Sequence, residues 1–151
     1  DKSQLETSAG DFEHCWRVGC MGGFLVGRAA VRAMQEAGPR VDGSLGTIIF
    51  TGATASLRGG AGFHNLAVGK FGLRALSQSL AREFAPQGIH VAHTIIDGMI
   101  ESEQPGHSAQ DKGSDGVLDP DAIAENYWHL HRQPRSAWTQ ELDLRPWSEK
   151  F

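Results

Sequence analysis

Residues 46–96 limit the possible folds most, because they read in succession as strand, glycine-rich loop, long helix and strand. Gly46-Thr-Ile-Ile-Phe-Thr51 is a β-branched and aromatic run after a glycine, the pattern of a strand buried on both faces. Residues 52–62 hold four glycines in eleven positions with small residues between them, which predicts a loop whose backbone lies close to something else. From Phe63 onward Leu66, Lys70, Leu73, Leu76, Leu80 and Phe84 fall three or four apart, one face of a helix over 63–85. Pro86-Gln87-Gly88 stops that helix, and residues 89–96, Ile-His-Val-Ala-His-Thr-Ile-Ile, follow as a second buried strand. Two buried strands joined through a helix form a βαβ unit, so the fold class is α/β with a parallel sheet and a right-handed crossover.

A helix over 11–37 precedes this unit, with Thr7 or Ser8 as its N-cap and Asp11 and Glu13 in its first turn. Its expected apolar face is Phe12, Trp16, Phe24, Leu25, Val31 and Met34, with Arg17, Arg28, Arg32 and Glu36 toward water. Gly19, Gly22, Gly23 and Gly27 stand in its interior, where each glycine costs about 0.5–1 kcal/mol, so they imply close backbone packing. After the second strand, residues 99–116 are polar and without periodicity, which predicts a lid or a partly disordered loop. Asp119-Pro120 then opens a helix ending near His131, with Ala122, Ile123, Tyr127 and Leu130 inward, and residues 138–144 alternate like a half-buried strand. The order αβαβαβ begins with a helix that ought to follow a strand, and a mean sheet has about five or six strands rather than three. The chain reads as the second half of an open α/β domain.

The totals remove several classes of function. Net charge is −4 and the 14 basic residues are scattered, so the basic footprint of a nucleic-acid binder is missing. No apolar run reaches the ~20 residues of a membrane span, and residues 1–6 lack the apolar core of a signal peptide, which points to a soluble, cytoplasmic protein. Cys15 and Cys20 lie five residues apart on different faces of one helix, poorly placed to bridge. His90 with His93, and His129 with His131, point to different sides of their elements, so no metal site is expected. Trp128, Trp138 and Trp147 are expected in the core or at a subunit contact.

Lys70 within Ala67-Val-Gly-Lys-Phe-Gly-Leu-Arg-Ala-Leu76, and Asp97-Gly98-Met99-Ile100-Glu101-Ser102 after the next strand, carry a family resemblance. With the long first helix bearing Gly22 and Phe24, they make the chain similar to the C-terminal half of the short-chain dehydrogenase/reductase family. The resemblance runs from about Asp11 to the end, with the closest likeness over residues 47–102. It implies a Rossmann-like three-layer α/β/α fold in which residues 1–151 form a single partial domain lacking the half that carries the glycine-rich cofactor loop. It also implies NAD or NADP chemistry on a small carbonyl or alcohol substrate, in which a tyrosine made more acidic by the lysine passes a proton during hydride transfer. By that resemblance Lys70 is both catalytic and cofactor-binding, and Asp97, Gly98, Ile100 and Ser102 lie along the cofactor.

The resemblance breaks at three positions. Leu66 stands where the tyrosine belongs, Ala53 where the serine belongs and Gly19 where the asparagine belongs. Leucine has no proton to give and alanine no hydroxyl, so of the four usual catalytic positions only Lys70 survives, and without the glycine-rich cofactor loop this chain alone is expected to bind dinucleotide weakly or not at all. Thr54, Ser56 and His64 are nearby substitutes; turn-capping fits the two hydroxyls and an exposed loop position fits the histidine. Residues 51–62 mimic a phosphate loop in position, but Asn65 falls where the third glycine would be needed. Two functions remain open: an oxidoreductase whose chemistry is altered or lost, and a non-catalytic scaffold. In the family the helices matching 11–37 and 63–85 pack against their copies, giving a homodimer or homotetramer, and Gly19, Gly22, Gly23, Gly69 and Gly72 would suit such packing.

Overall fold

The computed structural model describes residues 3–113 and 115–149. Three parallel strands, β1 (Gly46–Ala53), β2 (Ile89–Ile96) and β3 (Glu141–Leu144), lie in the order β1-β2-β3. β2 is the central strand and every one of its residues is buried. The outer edge of β1 meets no other strand among the described residues.

Side-chain alternation along β1 sorts the helices between the two faces. Phe50 points toward the first helical segment, where its ring lies near Gly23 and Gly27. Thr47 and Thr51 point the other way, to His131 and Tyr127 of α5 (Pro120–Arg132). One face therefore carries α1 (Ala9–Trp16), α2 (Gly22–Ala37) and α3 (His64–Phe84), and the other carries α5. The core on the first face joins Val31, Phe50, Leu73, Ala81, Ile89 and Val91.

Local chemistry sets the helix ends. Ser8 caps α1 by accepting the Asp11 N–H at 3.1 Å, and Asp119 caps α5 by accepting the Asp121 N–H at 2.9 Å, with Pro120 next in line. The predicted helix over 11–37 is continuous but contains a π-helical turn, Arg17–Met21, between α1 and α2. Such a turn inserts one residue into the helical repeat and changes which side chains share a face. The second helix ends in a 3₁₀ turn, Ala85–Gln87, and Gly88 takes the left-handed conformation at φ 92° before β2 begins.

Several expectations change on packing. Within residues 99–116, Ala109–Lys112 forms the short helix α4, and Ile100 bridges to Leu118, so the stretch is partly structured; Ser114 lies outside the described residues. The last strand starts at Glu141 rather than Trp138, since Trp138 turns out of the sheet to stack on His90 at 4.9 Å. Ala122 is exposed, as are Trp128 and Trp147. On the first helix Phe12, Phe24 and Leu25 are exposed, whereas Val31 is buried as expected and Gly27 is buried with it.

The fully buried line of α3 is Ala67, Gly69, Leu73, Ser77 and Ala81; of the predicted row Leu73 is buried and Leu76, Leu80 and Phe84 pack partly buried against the core, while Leu66 remains 45% exposed. The cause is the close approach of α3 to the first helical segment. A Cβ built on Gly19 would lie 3.6 Å from the Gly69 Cα, one on Gly72 would lie 2.6 Å from the Cys20 Sγ, and one on Gly23 would collide with a Leu73 methyl. Gly19, Gly23, Gly69 and Gly72 therefore serve packing inside the chain. Gly22 meets only the Arg17 carbonyl.

Gly52 is also crowded, since a methyl group there would run into the His93 imidazole and the Ser56 hydroxyl. Gly52→Ala is expected to lower stability by about 1–3 kcal/mol in urea unfolding. Gly59→Ala, whose added methyl would touch nothing, should stay within about 0.5 kcal/mol of the parent.

Candidate active site

Lys70 stands on the second turn of α3, and its Nζ donates to the Thr51 carbonyl at 2.7 Å, fastening the helix to the carboxyl-terminal end of β1. No acidic side chain pairs with it among the described residues. Burial alone pulls its ammonium below the usual lysine pKa. One turn earlier, Leu66 lies along the same cavity, and Gly19 reaches that cavity from the π-helical turn across the way. The cavity holds about 640 Å³. Gly19 and Lys70 are 51 positions apart in the sequence, and the packing of the π-helical turn against α3 joins Gly19, Leu66 and Lys70. Ala53 does not line the cavity, and its N–H is capped by the Ser56 hydroxyl at 3.1 Å.

The remaining predicted residues lie apart from the cavity. Asp97 follows the last residue of β2 and is 1% exposed. Its carboxylate accepts the Thr54 hydroxyl and lies 3.6 Å from Arg145 Nη1, which answers the cost of burying a charge. Thr54 is thus bound to Asp97, while Ser56 performs the turn-capping expected of both hydroxyls. Gly98 is held against the Pro146 ring, where a Cβ would approach to 2.5 Å. Ile100 is largely exposed, and Ser102 gives its N–H to the His107 carbonyl at 3.0 Å. His64 begins α3 and is partly buried, stacked with Phe12 at 6.4 Å, so it is not an exposed loop residue.

Beneath Gly52 lies a polar network absent from the sequence reading. Arg74, one turn beyond Lys70, grips Glu141 of β3 through both guanidinium contacts at 2.8 and 2.7 Å, and Glu141 also takes His93 Nδ1 at 3.0 Å. Because a carboxylate only accepts, His93 carries its proton on Nδ1 and leaves Nε2 as a buried acceptor with no partner. Burial pushes His93 below the usual histidine pKa, and the Arg74 bond holds Glu141 below the usual carboxylate pKa. His93, one of two histidines in a strand that otherwise reads as buried, was the sequence sign of this network. On the opposite face, Tyr127 shares a hydrogen bond of 2.9 Å with the Thr51 hydroxyl. Among the described residues no three His, Cys, Asp or Glu side chains gather as metal ligands, and no helix is long and apolar enough to cross a membrane.

Comparison with known proteins bears on this arrangement. Residues 1–124 match the family described as enoyl-(acyl carrier protein) reductase. The chain belongs to the short-chain dehydrogenase/reductase family. It is 44% identical to a short-chain dehydrogenase from Rhodopseudomonas palustris, with a TM-score of 0.76 over 97% of this chain and 57% of that one. It is 35% identical to the 3-oxoacyl-(acyl carrier protein) reductase of Salmonella typhimurium over 63% of this chain and 36% of that protein. An alcohol dehydrogenase from Thermococcus sibiricus, solved with 5-hydroxy-NADP, shares the fold at 20% identity, with a TM-score of 0.76 over 99% of this chain and 59% of that one. The chain thus spans little more than a third of the curated relative and under three-fifths of the solved ones. The Rossmann-like α/β reading holds for the part present.

The buried network fixes a pH response. His93 has a folded pKa below its unfolded value of 6.5, so the stability it supports is full above pH 6.5 and is lost as pH falls through the window beneath it. Glu141, also lowered, adds a further loss below its unfolded value of 4.5. His93→Gln is expected to flatten the fall in urea midpoint between pH 6.5 and 5, leaving the residual slope that His90, lowered by burial, supplies.

Proposed function

We propose that this chain is the C-terminal portion of an NAD- or NADP-dependent oxidoreductase of the short-chain dehydrogenase/reductase type, acting on a small carbonyl or alcohol compound. The observation that supports it most is the ammonium of Lys70, held at the carboxyl-terminal edge of a parallel sheet, the edge at which ligands of open α/β folds bind. Thr51 uses one of its three N–H donors, and the others are suited to the hydroxyls of a nicotinamide ribose. Asp97 and Gly98 would line the cofactor through their backbone, because the Asp97 carboxylate is already taken by Thr54 and Arg145. Ile100 and Ser102 would flank it from the following loop. When bound, the dinucleotide supplies or accepts the hydride. The pyrophosphate end finds no glycine loop in these residues, so tight binding needs the other half of such a domain.

Proton transfer is the weak point of that reading. With Leu66, Ala53 and Gly19 at the three polar positions, Lys70 is the one catalytic position retained, and the chemistry is altered or lost. A second reading, a non-catalytic scaffold, is favoured by the exposed apolar residues Phe24, Leu25, Val26, Val68 and Phe71 on α2 and α3. They would be covered in a homodimer or homotetramer built on helices 11–37 and 63–85. Two unbridged cysteines fit a cytoplasmic setting.

Fluorescence titration with NADH and NADPH, together with intact mass of the protein isolated from cells, separates the readings. Cofactor binding by a species heavier than 16.3 kDa is the expected result, weakened at least about tenfold by Lys70→Met. A 16.3 kDa species that binds neither nucleotide leaves the scaffold.

A further inference from the structure

Lys70 is an amine beside an apolar cleft, with no carboxylate to hold its proton. Val18, Phe63 and Leu66 wall the cavity of about 640 Å³, and Gly19 and Gly69 keep its floor free of side chains. Its volume lies within the roughly 300–1,000 Å³ of small-molecule sites. Asp11 and His14 also line it, and neither is bonded to Lys70, whose one hydrogen bond runs to the Thr51 carbonyl. Where a tyrosine would crowd the amine with a hydroxyl, Leu66 offers methyl groups alone.

We propose that Lys70 is a covalent docking point for apolar aldehydes, its amine forming an imine with the carbonyl carbon inside this cavity. The ammonium first releases a proton to solvent at the open mouth. Its lone pair then bonds to the carbonyl carbon, and the carbonyl oxygen departs as water, taking up the two hydrogens lost from nitrogen as the C=N bond completes. No oxidant, reductant or second cofactor enters the step. Burial, which lowers the lysine pKa, increases the fraction of neutral amine about tenfold per pKa unit. The step requires neither a dinucleotide nor the rest of a dehydrogenase domain, so it stands or falls apart from the cofactor titration.

Lys112, exposed on α4, is the internal comparison. The protein is treated at pH 7 with limiting hexanal and cyanoborohydride, which traps imines as stable amines, and each lysine is quantified by peptide mass spectrometry. Lys70 is expected to carry severalfold more adduct than Lys112. Leu66→Asp, a change at an exposed position, places a carboxylate beside the amine and should abolish that preference while circular dichroism remains unchanged. Equal labelling of the two lysines, no adduct on Lys70, or a preference that survives in folded Leu66→Asp would each overturn the proposal.

Discussion

The burial of polar side chains on β2 constrains the rest of this structure. His90, His93, Thr94 and Asp97 are shut off from water, and a polar group removed from water must find a partner or weaken the fold. The partners come from every direction. His90 takes the Thr139 carbonyl and the Trp138 ring, His93 takes Glu141, and Asp97 takes Thr54 and Arg145. These bonds fix the register of β3, the path of the C-terminal segment and the position of the loop after β1. Only Thr94 Oγ1 and the second nitrogens of the two histidines lack such answers.

The same constraint explains which features could be read from sequence. β2 was legible to the residue, since eight consecutive buried positions leave an unbroken run with glycine before it and Asp97-Gly98 after it. Ser8 and Asp119-Pro120 announced helix starts because capping is local chemistry. The faces of the helices were legible only in part. Periodicity marks large apolar side chains as inward, and Leu73 with the partly buried Leu76, Leu80 and Phe84 follows it, yet Gly69 and Gly72 make the closest approach to the first helical segment and Leu66 is turned outward. The π-helical turn at Arg17–Met21 is equally invisible, because it depends on what the helix packs against.

The candidate site shows the same division. Lys70, Leu66 and Gly19 were recognisable by their places in a motif, and the Val18 and Phe63 walls of the cavity they share were not, since these come together only when two helices pack. Glu141 and Arg74 escaped notice for a different reason. Their link spans sixty-seven residues and involves common surface residue types, so nothing local distinguishes them from a solvated pair. What the structure adds is a connection: the helix that carries Lys70 is tied at one point to β1 and, a turn later, to β3. A change at Glu141 would therefore be felt at the amine without touching it.

The outer side of β1 has a practical consequence. Eight residues of extended backbone present amide and carbonyl groups sideways with no strand to receive them among the described residues. Such a rim invites any extended peptide to lie alongside, its own copies included. Handled by itself, this polypeptide would be sticky along one line, and a complementary strand, whether joined to it or supplied separately, would act as its solubiliser.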